Sequence, residues 1–128
     1  MTVAARTCAG STLVEISSGP ARWWGDLAPG DGGGGLHPTP QDLLDSALAS
    51  CSVLTLQRYA RRKRYPLHAA QVRVERDRAG PRYRVRRRVE LIGPLTADQR
   101  RELLRVVDAC GIRQAMREAH DVQTELVG

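Results

Sequence analysis

"HPTPQDLLDSALASCSVLTLQRYARRK", residues 37–63, is the stretch on which the fold turns. Thr39 suits the cap of a helix, Pro40 its first position, and Asp42, three residues after the cap, can close a capping box. The spacing therefore predicts a helix over about 40–63. Leu43, Leu44, Ala47, Leu48, Ala49, Cys51, Val53, Leu54 and Leu56 make it apolar on most sides, with only small polar residues between them, so it is expected to be central and largely buried. Arg58, Arg61, Arg62, Lys63 and Arg64 crowd its last turns, where cations meet the partial negative charge of a helix C-terminus.

Upstream, "TVAART" and "STLVEIS" are β-prone runs separated by a turn signal, a hairpin pattern. A third strand is expected around Trp23 and Trp24, which then point to opposite faces. Gly30, Gly32 and Gly35 satisfy the G-x-G-x-x-G string. A dinucleotide loop needs a buried strand just before it and a helix opening on its last glycine, and neither is present. The glycines read instead as a flexible crossover into the long helix. Downstream, "AAQVRVERDRAGPRYRVRRRVELIG" alternates on both sides of Ala79-Gly80-Pro81, with Val72 and Val74 facing inward on one strand and Tyr83, Val85, Val89 and Leu91 on the other. Arg84, Arg86 and Arg88 fall on the opposite face, within reach of Glu75. Arg87 breaks the pattern by falling on the apolar side, the position of an edge, an interface or a site. Thr96-Ala97-Asp98-Gln99 is a second capping box, opening a helix with Leu103, Val106, Val107 and Cys110 at helical spacing. After Gly111 a shorter helix follows, carrying Ile112, Ala115, Met116 and Ala119. "DVQTELV" alternates as a closing strand. The expected order is β-β-β-α-β-β-α-α-β, a single α+β domain over residues 1–128.

A chain of 128 residues has the length to bury a proper core. Its net charge of +6 comes almost wholly from arginine, Lys63 being the only lysine. A basic surface favours acidic partners, but no Phe, two Trp and three Tyr leave little for a base-stacking platform, which argues against nucleic acid. No apolar run reaches the ~18 residues that cross a bilayer and the N-terminus lacks the pattern of a signal peptide, so a cytoplasmic protein with no membrane partner is expected. His37, His68 and His120 are scattered, with no C-x-x-C, so no metal site is expected. No G-x-S-x-G elbow marks a hydrolase.

Cys8, Cys51 and Cys110 are too few and odd in number for a disulfide framework. Cys51 and Cys110 each lie on or beside the apolar side of a helix, and packing both helices on one core could bring them together. By pattern alone, two buried inert thiols and a reactive pair both remain open.

The string "GGGGLHPTPQDLLDSALASCSVLTLQRYARRKRYPL" resembles the signature of the OsmC/Ohr family of bacterial stress proteins. The matching positions are Gly33 to Gly35, Pro38, Pro40, Leu43, Leu44, Ala47, Leu48, Cys51, Tyr59, Ala60, Pro66 and Leu67. The resemblance covers about residues 15–127 and is nearest the short OsmC-like subgroup. It implies an OsmC-like fold: an intertwined homodimer with two central buried helices surrounded by antiparallel β-sheets, and active sites where the subunits meet. It implies a cofactor-free thiol peroxidase in which Cys51 attacks an organic hydroperoxide, Cys110 resolves the sulfenic acid as a disulfide, and a dithiol reduces that disulfide. Cys8 has no counterpart in the family pattern.

The peroxidatic cysteine has to be a thiolate. Cys51 lies about 16 Å along its helix from Pro40, beyond the reach of that helix's N-terminal charge, so a neighbouring cation is the expected activator. In the peroxidases this is an arginine held by a glutamate. The glutamate position holds Gln41 here, and Asp42 points about 100° away around the helix. Arg6 and Arg22 in the N-terminal strands are the candidates for the arginine, with Arg87 less favoured. Gly111 replaces the family's usual proline after the second cysteine, and Cys110 itself falls at a helix start, where a thiolate is favoured. Two other readings compete: a catalytically impaired dimer that binds a small apolar or electrophilic ligand, and a basic nucleic-acid binder.

Overall fold

A computed structural model of the chain describes residues 1–77 and 84–128. The expected turn at Ala79-Gly80-Pro81 and the inward Tyr83 lie outside the described residues. Two compact units divide the chain, Met1–Ala47 and Leu48–Gly128. Among the described residues there are two antiparallel sheets and three α-helices, an α+β fold as expected.

In the first unit, β1 (Ala4–Thr7), β2 (Val14–Ser18) and β3 (Ala21–Gly25) form an antiparallel sheet in that order. Ile16, opposite Trp23, is its buried centre. The glycine-rich segment beyond β3 folds around an acid of the chain itself. Asp26 accepts hydrogen bonds from the Thr12 hydroxyl (2.5 Å), the Leu27 N–H (2.7 Å) and the Gly34 N–H (3.0 Å). Those donors, the Thr12 bond foremost, hold its carboxyl below the usual carboxylate range. Two amides of this segment, those of Leu27 and Gly34, are thus turned onto the chain's own carboxylate.

Helix α1 spans Pro40–Lys63, the bounds expected from sequence. The predicted box is made: Thr39 Oγ1 accepts from the Asp42 N–H (3.2 Å) and Asp42 accepts from the Thr39 N–H (3.0 Å). At the other end the Tyr65 N–H reaches the Ala60 carbonyl (2.8 Å) and the Arg64 N–H the Arg61 carbonyl (3.2 Å), the paired bonds of a Schellman cap. The left-handed position of that cap is held by Arg64, at φ 56°, where glycine is the usual residue. Arg64→Gly is therefore expected to stabilise the protein by about 1 kcal/mol, a rise of roughly 2–6 °C in a thermal melt. A fall in melting temperature would mean that the arginine side chain contributes more than its backbone strain costs.

Burial of α1 differs from expectation. Within the single chain it buries one stripe, Asp45, Leu48, Ser52, Leu56 and Ala60, three or four residues apart, while Leu44 and Leu54 are 44% and 61% exposed. Burial on most sides is not supplied by this chain alone.

In the second unit, β4 (Ala69–Asp77) and β5 (Arg84–Ile92) pair antiparallel, with Val72 opposite Val89 and Val74 opposite Arg87. Alternate residues are half-buried, as the sequence pattern requires. Glu75 pairs with Arg88 (3.3 Å) on the outer face. Gly93 then turns the chain at φ 144°, where a Cβ would fall 2.1 Å from the Pro66 carbonyl oxygen, so only glycine fits. Helix α2 (Ala97–Val106) opens on the expected box between Thr96 and Gln99, passes into a 3-10 turn over Val107–Ala109, and is followed by α3 (Gly111–Arg117). Leu56, Ala60, Leu103 and Val107 form the core, covered by Tyr59, Tyr65, Leu67, Ala70, Val72, Val89, Leu91 and Leu95.

A carboxylate ties α1 to α2 at the edge of this core. Tyr59 and Tyr65 each donate to one oxygen of Glu102, the first at 2.5 Å. These bonds lower the Glu102 pKa and raise both phenols, Tyr65 to about 12. The closing strand expected at "DVQTELV" is not formed: residues 119–128 are exposed and carry no regular structure. An alternating segment becomes a strand only when a partner strand satisfies its amides, and none does so among the described residues. No helix is long and apolar enough to cross a membrane among them.

Candidate functional site

The stripe that seats α1 on its core also fixes where Cys51 points. Ser52, Leu56 and Ala60 face inward, so Cys51, one position earlier, lies at the margin of the buried stripe and is only partly covered. Cys110 is fully buried, at the junction where the 3-10 turn ends and α3 begins. The two thiols, 59 positions apart in sequence, meet: Cys110 hydrogen-bonds Cys51.

Burial pushes the Cys51 thiol up, the largest single effect, but four hydrogen bonds together outweigh it and bring the pKa below the usual thiol value. They come from the Cys110 thiol, the Ile112 N–H, the Thr55 hydroxyl and the Gly111 N–H. The physical cause is legible in the fold. The first amides of α3 have no partner within their own helix and turn onto the Cys51 sulfur. Thr55 stands one helical turn after Cys51, on the same face of α1.

The helix start serves a different thiol from the one expected. Cys110 does occupy the helix start, as expected, but its side chain makes no capping bond there. The amides of that start serve Cys51, so a helix does act on Cys51 after all, though not the helix that carries it. Proline at position 111 would lack one of the donating N–H groups. Gly111 is the first residue of α3, where proline is tolerated, and a Cβ there would meet nothing within 4 Å. Gly111→Pro is accordingly expected to leave the fold intact and to slow alkylation of Cys51 by iodoacetamide at neutral pH roughly tenfold, the effect of losing a hydrogen bond to a charged acceptor. An unchanged rate, followed at Cys51 by mass spectrometry, would remove that amide from the account.

Arg87 lies in the same unit. Its side chain is 12% exposed and donates to the Ser52 hydroxyl (3.0 Å), the Val107 carbonyl (3.2 Å) and the Asp108 carboxylate (2.6 Å). The sequence flagged Arg87 by its place on an apolar face but not these partners. Thr55, Ser52 and Asp108 were missed; the i+4 spacing of Thr55 from Cys51 was the one available signal.

The other expected residues belong to the first unit. Arg22 is exposed on β3 and paired with Glu15. Arg6 stands on β1 directly opposite Glu15 and is exposed. Gln41 is half-buried in the first turn of α1. Cys8 is half-buried in the turn after β1, where its carbonyl accepts from Ser11 (3.3 Å) and its amide donates to Leu13 (3.2 Å).

Residues 31–125 match the protein family described as OsmC-like protein. No curated protein gave a significant match to the sequence. Among solved structures, the chain is similar to an OsmC-like protein from Mycoplasma pneumoniae, with a TM-score of 0.77 and 18% identity over 91% of this chain and 86% of that one. It is also similar to an organic hydroperoxide resistance protein, OsmC, from Legionella pneumophila (TM-score 0.63, 19% identity, 91% of this chain and 90% of that one). A third is an organic hydroperoxide resistance protein from Elizabethkingia anophelis with thiocyanate bound (TM-score 0.65, 16% identity, 91% and 89%). At such identities the likeness establishes the fold.

Proposed function

Because the chain belongs to the OsmC-like protein family, we propose that it is a thiol-dependent peroxidase of organic hydroperoxides, a homodimer whose protomer is one OsmC-like domain. The single observation that carries the reading is the Cys51 sulfur, drawn below the usual thiol range by four hydrogen bonds and set beside a second thiol. Structural neighbours named as organic hydroperoxide resistance proteins support a peroxide-related role.

The Cys51 thiolate attacks the terminal oxygen of the hydroperoxide. The O–O bond breaks, the alkoxide leaves with a proton as the alcohol, and Cys51 becomes a sulfenic acid. Cys110 then attacks that sulfur, a disulfide forms, and water departs. An external dithiol reduces the disulfide by exchange, so the net change is hydroperoxide plus dithiol to alcohol, water and oxidised dithiol. Desolvation around a thiolate held by amides suits an alkyl hydroperoxide better than hydrogen peroxide. Exposed Leu54 on α1 and the unpaired alternating segment "DVQTELV" are what a second copy would cover.

Mass spectrometry after one equivalent of cumene hydroperoxide tests the reading. The expected product is a Cys51–Cys110 bridge; both thiols recovered reduced would end it. A second reading, a binding protein for a small apolar or electrophilic ligand, is favoured by Gln41 in the place of the peroxidases' glutamate. An ordinary or raised Cys51 pKa in a thiol titration would select it.

A further inference from the structure

An arginine on the apolar side of an otherwise alternating strand needs a reason to be there, and its partners supply one. From β5, Arg87 reaches two separate segments at once. On α1 it donates to the Ser52 hydroxyl (3.0 Å), adjacent in sequence to Cys51. That hydroxyl is fully buried and itself donates to the Leu48 carbonyl (2.7 Å), so it is anchored within the helix. In the 3-10 turn before Cys110, Arg87 donates to the Val107 carbonyl (3.2 Å) and the Asp108 carboxylate (2.6 Å). The same Val107 carbonyl accepts the Cys110 N–H (3.3 Å). Asp108 also pairs with Arg113 of α3 (3.4 Å), which ties the turn to the helix whose first amides serve Cys51.

We infer that Arg87 is a positioning residue that clamps the two cysteine-bearing segments together and so sets how readily Cys51 and Cys110 join. This deepens the thiol chemistry proposed above and rests on it only in requiring that the two thiols form a bridge. The guanidinium suits the task because its donors lie in a fixed planar fork, so one side chain holds three acceptors in a defined arrangement. Lysine has three donors, but they radiate from one point on a flexible stem and do not hold the acceptors in a fixed planar arrangement. A bridge closes by exchange, two protein thiols plus oxidised glutathione giving the protein disulfide plus two reduced glutathiones. Its equilibrium measures the effective concentration of one thiol at the other, a quantity that depends on geometry.

The experiment equilibrates the full-length protein in glutathione buffers and reads the Cys51–Cys110 bridge by mass spectrometry. Arg87→Met, which keeps the aliphatic stem, is expected to lower the effective concentration about tenfold, equivalent to about 30 mV in the two-electron potential. Arg87→Lys is expected to recover part of the loss. Arg88→Met, on the outer face of the same strand, is expected to change nothing. Asp108→Asn removes the charged anchor at a side chain that is 54% exposed and is expected to act in the same direction as Arg87→Met but less strongly; it carries the test if Arg87→Met does not fold. A native-like equilibrium in folded Arg87→Met, or in Asp108→Asn where the first does not fold, overturns the inference, as does a wild-type protein that forms no bridge. The glutathione assay contains no hydroperoxide, so a protein that bridges normally here yet consumes no cumene hydroperoxide loses the peroxidase reading and keeps this one.

Discussion

Cys51→Ser is expected to abolish consumption of an alkyl hydroperoxide, with a loss of roughly a thousandfold or more, because no other group takes over from a removed nucleophile. Serine fits the same space and accepts the same hydrogen bonds from Gly111, Ile112 and Thr55. Its hydroxyl does not ionise near neutrality, so the surrounding donors have no anion to stabilise. The pH dependence makes the assignment specific. With the Cys51 pKa lowered by those hydrogen bonds, the thiolate is populated at lower pH than it would be without them. The first oxidation step should therefore rise with pH through that lowered value and level off above it, whereas Cys51→Ser should show no such inflection. Cys110→Ser separates the steps: one equivalent of hydroperoxide is still consumed, and Cys51 stays as a sulfenic acid that dimedone captures. Undiminished turnover in Cys51→Ser would leave the family scaffold without this chemistry.

The parts of the fold that could be read in advance are those governed by side chains close in sequence. Thr39 with Asp42 and Thr96 with Gln99 specify helix starts through contacts three residues apart, and both boxes are made. Strict alternation in β4 and β5 specifies a half-buried pair because one face must meet a core. "DVQTELV" alternates equally well, yet alternation describes only what a strand would bury. The hydrogen bonds that make a strand come from a neighbour. The site divides along the same line. Cys51 and Cys110 could be singled out by residue type and by their places beside apolar helix faces. Two of the donors that act on Cys51 are backbone amides at positions 111 and 112, and residue type carries almost no record of where an amide points. Arg87 is the intermediate case: its violation of the strand pattern was visible, while its three acceptors lie 20 or more positions away and meet only in the folded chain.

Leu103→Ala is expected to cost about 3 kcal/mol, within the range of about 2–5 for burying a void where a leucine was. Leu103 has no exposed surface and packs with Leu56, Ala60 and Val107, so the gap opens in the apolar core where α1 and α2 meet. Glu102, its neighbour, holds Tyr59 and Tyr65, which limits how far the two helices can close over the void. Such a loss is a large part of the total stability of a domain this size and should lower the melting temperature by about 6–12 °C. Leu54→Ala is the informative companion. At 61% exposure in the single chain, Leu54 should contribute within about 0.5 kcal/mol if the protomer stands alone. If a second copy covers α1, truncating Leu54 removes a buried interface contact, and the loss is largest where the protein is dimeric and shrinks as dilution leaves both proteins monomeric, because dissociation and unfolding are then linked. Melting both variants across a hundredfold range of protein concentration separates the outcomes: a concentration-independent deficit for Leu103→Ala measures the core, and a concentration-dependent one for Leu54→Ala measures the dimer. A Leu54→Ala protein that melts like the native one at every concentration would argue that α1 keeps its apolar side open to solvent.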